Sequence, residues 1–121
     1  MSRQLFEIFV PRTARVFVLD DDGERVLWFK KRLPNAVFSP SCTQSKQALS
    51  QSRFDFLFFD YNLAGGTGGD VARYVATLPW IHKARVYVHS LDEVGAQIIC
   101  GHVTHSVVAP FGFFEISLVD A

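Results

Sequence analysis

Apolar residues fall along this chain in two alternating rhythms. Arg15-Val16-Phe17-Val18-Leu19 is a short run without polar alternation, the pattern of a strand buried on both faces of a parallel sheet. Val26, Phe29, Lys30 and Leu33 then fall at helical spacing, with Asp22 placed as N-cap and Pro34-Asn35 as the stop. Ala36-Val37-Phe38 predicts a weak second strand, and Thr43 to Gln51 a polar helix. Phe54 to Phe59 is the strongest strand, almost wholly apolar, and it ends at Asp60. A glycine-rich loop follows, from Tyr61 to Gly69. Val71, Tyr74, Val75 and Leu78 sit at i, i+3, i+4 and i+7, which predicts a helix over Asp70 to Leu78 closed by Pro79-Trp80. Arg85 to Val88 reads as a fourth strand, Glu93 to Cys100 as a short helix closed by Gly101, and Ser106 to Val108 as a fifth strand.

Strands alternating with helices predict an α/β domain with a parallel sheet and helices on both faces. Two stretches stand apart. Leu5 to Val10 is apolar and precedes Pro11, so it reads as an extra strand or a hydrophobic arm. Phe113 to Leu118 has room for only a short helix, and reads as a truncated last helix or as a segment packed on another subunit. The expected organisation is an arm or strand over residues 1–14 and one domain over residues 15–121.

Composition narrows the class. The chain has 121 residues, 49% of them hydrophobic, which suits one domain with a real core. Basic and acidic side chains balance at 12 each, which argues against a protein that coats nucleic acid or anionic membrane. Cys42 and Cys100 make neither a disulfide framework nor a metal-spaced cluster and read as plain thiols. No apolar run reaches the roughly 20 residues of a membrane helix. Met1-Ser2-Arg3-Gln4 lacks the pattern of a signal peptide. The expectation is a cytoplasmic protein.

The polar residues add chemistry. Asp20, Asp21 and Asp22 follow the first strand, Asp60 ends the third, and His89-Ser90 end the fourth. In a doubly wound sheet, ligands bind beyond the carboxyl ends of the strands, so these groups are expected to converge. Carboxylates held together repel one another unless a cation joins them, and hard oxygen ligands suit Mg²⁺ or Mn²⁺. The Ser90 hydroxyl and backbone amides of the glycine-rich loop, Gly65 and Gly66 among them, are placed to meet phosphate oxygens. Each group also has a plainer reading. Aspartates after strands serve as turn or cap residues, and that role is favoured for Asp22. Asp70 belongs to its helix start, and His82, His102 and His105 carry no ligand spacing.

Taken together, Val16 to Asp22, Phe58 to Gly65 with Gly68, Val88-His89-Ser90 and Pro110-Phe111 resemble the receiver domain of two-component response regulators, the CheY-like superfamily. The resemblance covers roughly residues 15–112. It implies a flavodoxin-like, five-stranded parallel sheet of order 2-1-3-4-5, here with short fourth and fifth helices. It implies that Asp20 and Asp21 hold Mg²⁺ together with Asp60 and the carbonyl of Asn62. It implies that Asp60 takes the phosphoryl group and Ser90 senses it.

Three positions depart from the pattern. Ala109 stands where the family carries a lysine, Ala64 where it carries a proline, and the stretch from Ser90 to Ala109 is short. His89-Ser90-Leu91-Asp92, Gly95-Ala96, Gly68-Gly69-Asp70-Val71-Ala72 and Pro110-Phe111-Gly112 are similar to the cyclic-phosphate-processing branch, although Tyr61 replaces the histidine of that branch. This resemblance implies metal-dependent binding or hydrolysis of a phosphoester, with Asp60 and His89 as catalytic groups. A nucleic acid would enter only as a terminal cyclic phosphate. Two other readings stay open. One is a stand-alone receiver phosphorylated on Asp60 that docks to a partner protein, as a monomer or as a dimer through the face of the fourth helix and fifth strand. The other is a pseudo-receiver that binds proteins through Leu5–Val10 and Phe113–Leu118.

Overall fold

A computed structural model describes residues 5–120, so the signal-peptide reading of Met1 to Gln4 lies outside the described residues. In chain order the elements are β1 (Phe6–Pro11), β2 (Val16–Leu19), α1 (Gly23–Arg32), β3 (Val37–Ser39), α2 (Cys42–Gln51) and β4 (Phe56–Phe59). A small hairpin of β5 (Asn62–Leu63) and β6 (Gly66–Thr67) leads into α3 (Gly68–Val75), then β7 (Arg85–Val88), α4 (Glu93–His102), β8 (Val107–Val108) and β9 (Phe114–Val119).

The central sheet has five parallel strands in the order β3-β2-β4-β7-β8, the arrangement expected from the sequence. Its strands alternate sides because successive residues of a strand point to opposite faces. Phe17, Leu19, Leu57, Phe59, Val86 and Val88 pack on one face against Leu49 of α2, Val71 and Val75 of α3, and Ile99 of α4. Val16, Val18, Phe56, Phe58 and Tyr87 pack on the other face, against Phe29 and Leu33 of α1.

The last segment differs from its expectation. Phe113 to Leu118 contributes no helix: Phe114–Val119 is a strand, β9, paired in parallel with β1. Phe114 and Ile116 point inward with Ile8 and Val10, so the ribbon covers the sheet face beside α1. The period is two, not 3.6, and a helix over these residues could not bury Phe114 and Ile116 together while leaving Glu115 accessible. Arg32 of α1 pairs with Glu115 and lies over the Trp28 ring at 3.8 Å, which fastens the ribbon to α1.

Helix limits follow local chemistry. Asp22 caps α1 as expected, its side chain accepting the Arg25 N–H. Helix α3 begins at Gly68 rather than Asp70, because Thr67 supplies the cap. It does not reach Leu78, which precedes Pro79 and is extended (φ −86°, ψ 132°), as the residue before a proline prefers. Helix α4 runs through Gly101 to His102. Among the described residues, no helix is long and apolar enough to cross a membrane.

Candidate functional site

Backbone bonds that continue the sheet past its strand ends fix the acidic residues. Asp20 N donates to Ser39 O, Asp60 N to Leu19 O and His89 N to Phe59 O, each at 3.0–3.1 Å. Asp20 and Asp60 therefore stand side by side at the ends of β2 and β4, with His89 and Ser90 beside them at the end of β7. Carboxylate oxygens of Asp20, Asp21 and Asp60 all come within 4.8 Å of one another.

Asp20 is fully buried and fully used. Its Oδ1 accepts from Asp22 N at 2.9 Å and Arg25 Nη2 at 3.1 Å. Its Oδ2 accepts from Arg25 Nε and from His89 Nε2, both at 2.8 Å. An ionised carboxylate only accepts, so His89 Nε2–H is the donor of this bond. Its Nδ1 has no hydrogen-bond partner among the described residues. Phe29 lies 5.0 Å from the His89 ring, centre to centre, and Phe111 6.5 Å, so apolar rings cover it. Burial pushes the Asp20 carboxyl up, but the hydrogen bonds from His89 and Arg25 outweigh it and hold the pKa at about 2.

Asp60 moves the other way. Burial and the neighbouring charge of Asp20 raise its pKa, only partly offset by His89 and Arg25. Arg25 Nη2 lies 3.3 Å from Asp60 Oδ2, so one guanidinium bridges the two buried carboxylates. Asp21 is exposed, and its Oδ2 accepts from Ala64 N at 2.8 Å, drawing the hairpin over the cluster.

A cleft of about 140 Å³ opens beside Asp60, lined by Arg25, Asn62, Ser90, Leu91, Asp92 and Phe111 among others. Ser90 Oγ accepts from Asp92 N at 3.1 Å, which leaves its O–H as a donor. Asp92 caps α4 through Gly95 N and accepts from Asn62 Nδ2 at 3.2 Å, tying the loop after Asp60 to α4.

Most residues singled out in the sequence thus meet: Asp20, Asp21, Asp60, Asn62, His89 and Ser90. Gly65 and Gly66 are the exception and do not line the cleft. Gly65 makes the turn of the β5–β6 hairpin with φ +79°, and Gly66 lies against Cys42. The amide that reaches the acidic cluster is Ala64's. Gly68 is the glycine that shapes the site: a Cβ there would come 1.8 Å from the Asp60 carbonyl oxygen.

Sequence reasoning passed over Arg25. Its signal was a cation in the first turn of a helix, where the dipole disfavours positive charge.

The donor set fits a divalent cation. Three carboxylates against one guanidinium leave negative charge to neutralise, and with Asp20's oxygens taken by Arg25, His89 and the Asp22 amide, the hard oxygens left for an ion are those of Asp21 and Asp60. Such an ion would polarise a phosphoryl oxygen and offset its charge.

The opposed shifts of Asp20 and Asp60 give a pH dependence. Asp20's folded pKa, about 2, lies below the usual 3.8. Its contribution is complete above pH ~4 and is lost as pH falls through the folded value, worth about 2–3 kcal/mol in all. Asp60's pKa is raised, so its ionised form costs stability near neutrality. Urea unfolding from pH 7 to pH 2 is expected to show a steep loss below pH 4 that Asp20→Asn removes. An unchanged acid limb in that variant would place the shift elsewhere.

Strand order, burial and the alignment of the strand ends give a CheY-like, flavodoxin-type α/β fold. The chain is similar to the phosphorylated cyanobacterial phytochrome response regulator RcpA, at 18% identity over 79% of each chain with a TM-score of 0.68. It is similar to TrrA of Thermotoga maritima, solved in complex with Mg(2+)-BeF, at 16% identity over 84% of this chain and 90% of that one, TM-score 0.68. It is also similar to the Vibrio cholerae chemotaxis protein CheY4, at 15% identity over 83% and 88%, TM-score 0.69. The sequence matches no protein-family model and no curated protein.

Proposed function

We propose that this chain is a receiver module in which Asp60 accepts a phosphoryl group from a small-molecule phosphodonor or a phosphorylated protein. The observation that carries this reading is the placement of Asp60: a strand-end carboxylate inside an acidic cluster, facing a cleft that also holds the Ser90 hydroxyl. Mg²⁺, or Mn²⁺, would be held by Asp21, Asp60 and the Asn62 carbonyl, with Asp20 committed to Arg25 and His89. The phosphorylated state of RcpA and the Mg(2+)-BeF bound to TrrA support the same use of this site. Output passes to a partner protein or to a second copy of the chain. Exposed Val94 and Ile98 on α4 and Val107 on β8 favour that face for docking.

The test is intact mass after incubation with Mg²⁺ and acetyl phosphate. The wild type is expected to gain one phosphoryl group and Asp60→Asn none. The variant should melt at or above the wild-type temperature, since it removes an ionised carboxylate whose burial is unfavourable. A gain in both proteins would place the modification on another residue.

A second reading, metal-dependent phosphoester hydrolysis of the cyclic-phosphate kind, is favoured by His89 in the site, whose Nδ1 has no hydrogen-bond partner among the described residues. It expects turnover of a 2′,3′-cyclic phosphate that His89→Ala abolishes while Mg²⁺ still raises the melting temperature. Burial of that nitrogen, in a ring flanked by Phe29 and Phe111, weighs for the phospho-acceptor reading instead. Absence of both modification and turnover would leave a pseudo-receiver that binds proteins.

A further inference from the structure

Arg25 is the guanidinium that joins the two buried carboxylates of the site. Two of its nitrogens grip Asp20, Nε on Oδ2 at 2.8 Å and Nη2 on Oδ1 at 3.1 Å. The same Nη2 reaches Asp60 Oδ2 at 3.3 Å. The short contacts anchor the fork on Asp20, and the long one leans it on Asp60. The side chain is 30% exposed and lines the cleft, so it is accessible to what binds there. His89 takes the remaining position on Asp20 Oδ2 and so fixes the carboxylate that holds the fork. At the end of β8, Ala109 is buried among apolar side chains and brings no charge to the cleft.

We propose that Arg25 is a catalytic residue of this site, the cation that receives the phosphoryl oxygens as they transfer to Asp60; this rests on the phospho-acceptor reading. With acetyl phosphate, an Asp60 oxygen forms a bond to phosphorus while the bond from phosphorus to the acetate oxygen breaks. Acetate leaves with the electron pair, and no proton changes hands. The transferring group carries negative charge on its peripheral oxygens, and fixed cationic donors beside it lower the barrier. Arg25 is already within hydrogen-bond reach of the accepting carboxylate, and no reorganisation of Asp20 is needed for its N–H groups to meet those oxygens. A planar fork also keeps one nitrogen edge on Asp20 while another serves the phosphoryl group, which a lysine cannot do.

The experiment compares rates of phosphoryl gain by intact mass, with Mg²⁺ and acetyl phosphate, for the wild type, Arg25→Met, Arg25→Lys and Arg25→Ala. Arg25→Met is expected to slow modification by about 10²–10³-fold, the usual loss on removing one charge-stabilising donor. Arg25→Lys should fall between the two. Millimolar ethylguanidinium should restore rate to Arg25→Ala, which a purely structural role would not allow. Beryllofluoride binding followed by fluorine NMR should weaken in step. If Arg25→Met fails to fold, Arg25→Lys and the rescue of Arg25→Ala carry the test. Wild-type rates in both neutral variants would overturn the role of Arg25 and leave Asp60 as acceptor. A wild type that neither gains phosphoryl nor binds beryllofluoride would overturn the phospho-acceptor reading, and this role with it.

Discussion

Asp20→Ala is expected to destabilise the protein by about 3–5 kcal/mol, the range for breaking a buried charged pair by removing one partner. The side chain is fully buried and saturated by four donors, two from Arg25, one from His89 and one from Asp22. Two effects oppose each other. Removing Asp20 relieves its repulsion with Asp60, a gain, and strips the buried His89 ring of the one hydrogen bond it makes among the described residues, a cost. The pKa decides the sign. Were repulsion dominant, the Asp20 carboxyl would titrate high, yet it is held at about 2. Urea denaturation of Asp20→Ala, His89→Ala and the double variant should show strong coupling between the two sites. A loss below about 1 kcal/mol in Asp20→Ala would mean that water relaxes the site and that the carboxylate is not anchored as drawn.

Phe29→Ala is expected to cost a similar amount, about 3–5 kcal/mol, because a buried aromatic ring leaves a cavity its neighbours only partly close. Phe29 is wholly buried and touches the rings of Trp28, Phe58, His89, Phe111 and Phe114. It stands where α1, the central sheet and the ribbon meet, so its loss loosens three elements together. Part of the cost is recovered if water enters and bonds His89 Nδ1, which has no partner among the described residues. Phe29→Leu, which keeps most of the volume, should lose less than half as much. Equal losses in both variants would mean that the contact with His89, rather than volume, sets the effect. The melting temperature and urea midpoint measure it.

The central sheet was legible because its strands are buried on both faces, and Val16–Leu19 and Phe56–Phe59 are unbroken apolar runs. The strand-end residues of the site were legible for the same reason: once the strands are placed, Asp20, Asp60 and Ser90 must lie at one edge. The ribbon was not. Phe114-Glu115-Ile116 alternates, and Phe6-Glu7-Ile8 repeats the same tripeptide in register with it, but neither strand can be told from a short helix or an arm without its partner. The pairing is a long-range fact that local pattern does not carry. Arg25 was hidden differently. Sequence shows a basic residue on a helix, and only the close approach of α1's first turn to the end of β2 turns it into a bridge between carboxylates.

The β1–β9 ribbon sets the order in which the domain can be completed. Phe6 pairs with Phe114 and Pro11 with Val119, so its hydrogen bonds join segments separated by nearly the whole chain. Contacts of such high sequence separation carry the largest loop-closure entropy and form late. During synthesis the sheet and α1 can assemble while β9 is still unmade, leaving Phe58 and Tyr87 without their final cover. The nascent domain therefore passes through a stage that is sheet-complete and sticky on one side, and β9 is the latch that ends it.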